Sequence, residues 1–192
     1  MRLIIGMSGA SGVIYGIRLL QVLREEPEVE THLVLSNSAR LTIALETDMS
    51  ADDVTDLADQ VYSNKDIAAP IASGSYQTAG MIVAPCAMKT LSAIANSYAD
   101  SLLVRAADVV LKERRKLVLI PRETPLHAGH CELMYKASLN GAIIAPPMPA
   151  HYIKPQSVDE LVDHHVGRVL DLFGLDVDLV TRWQGAQSRD RG

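Results

Sequence analysis

Cysteine is scarce in this chain. Cys86 and Cys131 are the only two in 192 residues, too few for a disulfide-stapled scaffold, and they read as reduced thiols of a cytoplasmic protein. No apolar run approaches the ~18 residues that a membrane span requires. The lone Arg2 before a short apolar run does not make a signal peptide. Positive charge is in deficit: a net charge of −5 argues against general nucleic-acid binding and confines any anion site to a local group of cations. The chain also lacks a G-x-G-x-x-G fingerprint, a GxxxxGK[ST] loop and a G-x-S-x-G elbow, so nothing points to a serine hydrolase. Repeats, low-complexity tracts and domain linkers are missing too. Residues 1–183 therefore read as one domain and 184–192 as a small, polar, disordered tail.

What is present begins at once. Leu3-Ile4-Ile5 forms a short apolar run, followed by a loop of small residues, Gly6 to Gly12, and then a helical pattern from Val13 to Arg24. A strand, a glycine-rich turn and a helix in that order offer backbone N–H groups at a helix start, which attract phosphate; a tight turn without a ligand is the plainer reading. Further strands are expected at 31–36, 80–85, 116–121 and 142–145. Helical patterns fall at 38–47, 51–60, 89–97, 101–113 and 127–139, with a last helix opening on a Ser157–Glu160 capping box. Apolar strands alternating with helices imply a three-layer α/β/α, Rossmann-like (flavodoxin-like) fold with a mainly parallel sheet. Residues 63–79 read as irregular. Residues 145–156 hold four prolines in twelve positions and exclude a helix or a central strand.

Several side chains invite chemistry. Arg105, Asp108 and Lys112 share one helix face, either as a solvated stripe of ion pairs or as part of a site. Arg122 follows the strand 117–121, at the carboxyl end where open α/β sheets bind ligands, with Glu123 beside it. Glu46 lies near the end of a helix, where the dipole disfavours a carboxylate. It is either an exposed acid or a base held in a cleft. His127, His130, Cys131 and Glu132 suggest a metal site less than a helix-face arrangement, because no second cluster completes a tetrahedral set.

Taken together, GMSGASG at 6–12, LETD at 45–48, ASGSYQT at 72–78, PCAMKTLSAI at 85–94, RAADVVLKERRKLVLIPRETPL at 105–126 and HYIKPQS at 151–157 resemble the UbiX-type flavin prenyltransferases. That family includes subunits associated with phenolic-acid decarboxylase systems. The resemblance runs nearly the whole chain, to Arg182-Trp183. Ala87 stands where the family usually has serine, and His151 where phenylalanine is usual.

The resemblance implies an activity: joining the dimethylallyl group of dimethylallyl monophosphate to reduced FMN at N5 and C6. The product, prenylated FMN, would serve a UbiD-type decarboxylase. It implies FMN contacts from Gly9, Ala10, Ser11, Ser36, Ala87, Met88, Lys89, Thr90 and Arg122. Arg105, Lys112, Arg122, Glu123, Tyr152 and Arg168 would hold the prenyl phosphate, and Ser11 and Glu46 would handle protons. Trp183, with the flavin, would stabilise an allyl cation by its π face. No metal is expected, because cations of the chain take its place on the leaving group. A homo-oligomer is implied, commonly a trimer-based dodecamer with sites at subunit junctions. Two rival readings keep the flavin: a non-catalytic FMN-binding accessory subunit, and a flavin-dependent cysteine-type decarboxylase.

Overall fold

The computed structural model describes residues 1–185. The tail expected after Trp183 lies, from residue 186 onward, outside the described residues. Among those described, six parallel strands form one sheet: β1 (Arg2–Met7), β2 (Glu30–Leu35), β3 (Gln60–Ser63), β4 (Gly80–Cys86), β5 (Lys116–Pro121) and β6 (Ala142–Ile144). Their order is β3-β2-β1-β4-β5-β6. The central strands are buried along almost their whole length because helices cover both faces, the expected parallel arrangement.

The helices are α1 (Ile14–Arg24), α2 (Asn37–Glu46), α3 (Ala51–Thr55), α4 (Met88–Ala95), α5 (Leu102–Lys112), α6 (Ala128–Leu139) and α7 (Val158–Asp171). Side chains alternate across the strands, so each strand serves two cores. Ile4, Met81, Val83, Leu117 and Leu119 share a core with Leu91 of α4 and Leu103, Ala107 and Val110 of α5. Leu3, Ile5, Ile82 and Val118, at the alternate positions, are also fully buried. Helix α1 packs against β1 and β4 through Gly16, where a Cβ would stand 2.3 Å from the Ala84 carbonyl oxygen. Only glycine permits that approach.

Two sequence expectations need correction. The helix expected over 51–60 stops at Thr55, and Gln60–Ser63 pairs with β2 as an edge strand. Asp59 explains the switch: its Oδ2 accepts hydrogen bonds from the Thr31 amide (2.7 Å) and the Thr31 hydroxyl (2.8 Å), pinning the chain beside β2. The second correction is at α7. Ser157 accepts from the Glu160 amide at 3.2 Å, but the Glu160 carboxylate reaches past Ser157 to the Gln156 amide at 2.8 Å. The cap is real, although its reciprocal half is displaced by one residue.

Contacts divide the chain into two compact units, Met1–Pro147 with the whole sheet and Met148–Gly192 with α7. No described helix is long and apolar enough to cross a membrane.

Candidate active site

In the first unit, strand order reverses direction at β1, which has β2 on one side and β4 on the other. The carboxyl ends of β1 and β4 therefore flank the crevice in which open α/β sheets hold ligands. Ser8, just past β1, ties the two loops together. Its buried hydroxyl donates to the Pro85 carbonyl (3.0 Å) and accepts from the Ala87 amide (2.7 Å). Sequence reasoning passed over Ser8, since a serine in a glycine-rich loop carries no local sign of burial. Gly9 presses on α2 so closely that a Cβ would stand 2.1 Å from the Cβ of Ser38.

Glu46 resolves its own oddity. It ends α2, the wrong end for a carboxylate, yet its Oε2 accepts from the Gly12 amide at 2.8 Å and the Val13 amide at 3.4 Å. Those amides stand at the start of α1, where the helix dipole favours negative charge. Burial pushes the Glu46 carboxyl up, but hydrogen bonds from Ser11, Gly12 and Val13 and the charge of Arg122 outweigh it and hold the pKa below its usual value. Ser11 and Glu46 thus meet as expected. The expectation that the glycine turn offers its amides to phosphate is only partly met, because two of them already serve Glu46.

The neighbouring helix start is open. Ala87 caps α4 with no side-chain hydrogen bond, leaving the first-turn amides of Met88, Lys89 and Thr90 without an intrahelical partner. Arg122 follows β5 at the same edge, its amide donating to the Cys86 carbonyl at 3.3 Å. Open amides plus a guanidinium make a donor set that fits a phosphate monoester such as that of FMN. Ser36 at the end of β2 caps α2, accepting from the Ala39 amide at 3.0 Å. Ala10 donates its amide to the Ser8 carbonyl. Glu123 is exposed and accepts from the Thr124 amide at 3.0 Å.

Lys112 is not gathered here. Helix α5 runs antiparallel to the strands, so Lys112 sits at the amino edge of the sheet, beside the start of β5, while Arg122 follows its far end. The six residues of β5 put about 20 Å between those edges. Arg105 pairs with Asp108 at 3.0 Å and donates through Nε to the Ala72 carbonyl at 3.2 Å. Lys112 pairs with Glu113 instead of with Asp108. Both helix positions lean on the irregular 72–78 segment, which Arg115 clamps through the Gly74 and Tyr76 carbonyls at 2.7 and 2.8 Å. Within a single chain, Lys112 therefore does not reach Arg122.

Tyr152, Arg168 and Trp183 belong to the second unit, which makes its own polar cluster. Asp171 accepts from Arg168 Nη1 at 2.7 Å and from both terminal nitrogens of Arg182 at 3.0 and 2.9 Å. The hydrogen bonds of Arg182 and then of Arg168 hold the Asp171 carboxyl below its usual range, against the effect of burial. Tyr152 packs edge-on to Trp183, with ring centroids 5.6 Å apart. Asp171 and Arg182 were missed because an i,i+3 ion pair on a helix is ordinary until a third partner locks it.

His127 proves to be the cap of α6, its Nδ1 accepting from the Gly129 amide at 3.1 Å, with the His130 ring tilted against it at a centroid distance of 3.6 Å. Among the described residues, no three His, Cys, Asp or Glu side chains converge as a metal set.

Comparison with known proteins places this geometry. The Flavoprotein family model matches residues 1–170. Flavin prenyltransferase UbiX of Escherichia coli (strain K12) is 59% identical over 187 residues, covering 96% of this chain and 99% of the relative. The chain belongs to the UbiX flavin prenyltransferase family. Its backbone matches a dodecameric FMN-dependent UbiX-like decarboxylase from Escherichia coli O157:H7 with a TM-score of 0.95, at 57% identity over 96% of this chain and 100% of that one. It also matches AnUbiX (PadA1), solved in complex with FMN and dimethylallyl pyrophosphate, with a TM-score of 0.94 at 50% identity over 97% of this chain and 98% of that one. The family and the α/β fold agree with the sequence reading.

Proposed function

We propose that this chain is a cytoplasmic flavin prenyltransferase that joins the dimethylallyl group of dimethylallyl monophosphate to reduced FMN and delivers prenylated FMN to a UbiD-type decarboxylase. The observation that carries the reading is the Ser11–Glu46 pair, docked on the start of α1 at the switch point and facing Arg122. Reduced flavin, when bound, supplies the nucleophilic N5 and C6. The open start of α4 and Arg122 hold its phosphate. Glu46 stays ionised at neutral pH, so it accepts the proton released as the fourth ring closes, with Ser11 keeping the carboxylate aimed. Arg168, held by Asp171, and the Tyr152 hydroxyl bind the leaving phosphate, and the exposed face of Trp183 shelters positive charge on the allyl group.

Arg105 and Lys112 enter this scheme from a neighbouring copy. Lys112 stands too far from Arg122 to serve the crevice of its own chain, and Arg105 is engaged there by Asp108 and the Ala72 carbonyl. Exposed apolar pairs at helical spacing, Leu41 and Leu45 on α2 and Tyr135 and Leu139 on α6, support association into a homo-oligomer. The dodecameric relative supports the same reading.

The test is direct. Purified protein is mixed anaerobically with FMN, dithionite and dimethylallyl monophosphate, and the extracted flavin is weighed by mass spectrometry. A flavin heavier by one dimethylallyl group is expected. Unchanged FMN, tightly held, would instead leave an accessory carrier.

A further inference from the structure

Helix α7 buries a histidine that none of the steps above employs. His164 is 7% exposed, one turn before Arg168. Its Nε2 lies 3.2 Å from the Tyr152 hydroxyl, and the two rings meet edge to face at 5.6 Å. The same hydroxyl lies 3.2 Å from the Thr181 carbonyl oxygen, while Nδ1 of His164 has no partner.

Counting donors decides the proton arrangement. A carbonyl only accepts, so the phenol must be the donor toward Thr181. If it is, the phenol oxygen accepts from an Nε2–H of His164, and two hydrogen bonds form. If the phenol donated to Nε2 instead, the Thr181 contact would be lost and the proton on Nδ1 would be a buried orphan donor. Orphan donors are rarer and costlier than an unused lone pair. The neutral Nε2–H tautomer therefore holds. Burial and then the Arg168 charge push the pKa of His164 down, against the pull of Asp171, which keeps the ring neutral near pH 7.

We infer that His164 is a positioning residue: its Nε2–H binds the Tyr152 oxygen, so that the phenol proton is the one presented to the phosphate of the prenyl donor. With His164 occupying an acceptor site of the oxygen, the hydroxyl proton is free to turn from the Thr181 carbonyl to a phosphate oxygen. Donation into the phenol oxygen also polarises the O–H bond and strengthens it as a donor. No covalent bond changes and no proton is transferred. The inference rests on the reading of Tyr152 as a phosphate ligand.

The test is a double-mutant cycle on the full-length protein, read as KM for dimethylallyl monophosphate against KM for FMN and kcat. His164→Leu is expected to raise the KM for the prenyl donor about tenfold, leaving the KM for FMN unchanged. His164→Gln, whose amide donor sits near Nε2, is expected to stay within about threefold of the native protein. In a Tyr152→Phe background, His164→Leu should add nothing further. Equal effects in both backgrounds would make His164 merely structural and overturn the inference. A harmful Tyr152→Phe with a silent His164→Leu would overturn it while leaving the reading of Tyr152 intact. A silent Tyr152→Phe would remove that reading, and the inference with it. Should His164→Leu fail to fold, His164→Asn, whose amide sits near Nδ1, replaces it. Equal impairment by Asn and Gln would then count against the assignment.

Discussion

The two edges of the sheet treat charge in opposite ways. At the amino edge, Lys112 at the end of α5 pairs with Glu113, and one turn from the start of the same helix Arg105 pairs with Asp108. At the carboxyl edge, the acid Glu46 is held by backbone amides and a serine, and Arg122 acts on it through its charge. Amides hold a carboxylate without neutralising its charge, so Glu46 remains an ionised base. Ion pairs at an exposed surface are worth little and exchange readily, so Arg105 and Lys112 are available to another anion. One edge is built to react, the other to be recruited.

The largest expected effect breaks the reactive edge. Glu46→Gln keeps the hydrogen-bonding shape but loses the base. Ring closure should slow by about 10² to 10⁴, leaving flavin alkylated at N5 alone by mass spectrometry. Full turnover to the tetracyclic product would remove Glu46 from proton handling.

The recruited edge is tested by mixing. Lys112→Ala and Arg122→Ala should each lose about 10- to 100-fold in prenyl transfer, the value of a charge-assisted contact. Unfolded together and refolded as mixed oligomers, the two variants should regain about a quarter of native activity if the residues act across a junction between copies. No recovery would mean that both serve the same chain.

Ser8 joins the loops at the reactive edge, so Ser8→Ala strands the Ala87 amide, while the Pro85 carbonyl keeps the Ser8 amide at 3.1 Å. A loss of about 1–3 kcal/mol in urea unfolding is expected, with weaker FMN binding. Unchanged stability would show that the loops are tied elsewhere.

The smallest effect is one of pH. Burial, the leading cause for each, lowers the pKa of His32 in β2 and of His164 in α7 below the ordinary 6.5. The unfolded chain then binds protons that the folded chain refuses. Stability is therefore full above pH 6.5 and falls as pH drops toward the folded values, by at most about 1.4 kcal/mol per pH unit for each group. Urea midpoints flat between pH 7.5 and pH 5 at about constant ionic strength would contradict this assignment.

Legibility in the sequence followed the range of the interaction. Five strands and most helices were readable because burial on both faces leaves continuous apolar runs, and amphipathic helices leave their own period. The fit of Glu46 to Ser11 was readable only through family resemblance. On local grounds alone, a carboxylate at a helix end is an anomaly. The edge strand β3 was not readable: Gln60–Ser63 is largely exposed and becomes a strand through its pairing with β2 and the anchor at Asp59.

By itself the sequence determined the parallel α/β architecture, the glycine-rich loop after β1, the cap at Ser157 and the family, because each is written in neighbouring residues or in long matching blocks. The tertiary structure alone decided that Glu46 crosses to the start of α1, that Ser8 is buried between two loops, that Lys112 stands a strand's length from Arg122 and that His164 meets Tyr152. Those contacts depend on how layers and turns stack in space. Burial and hydrogen bonding between residues far apart in the chain leave no periodic trace in it.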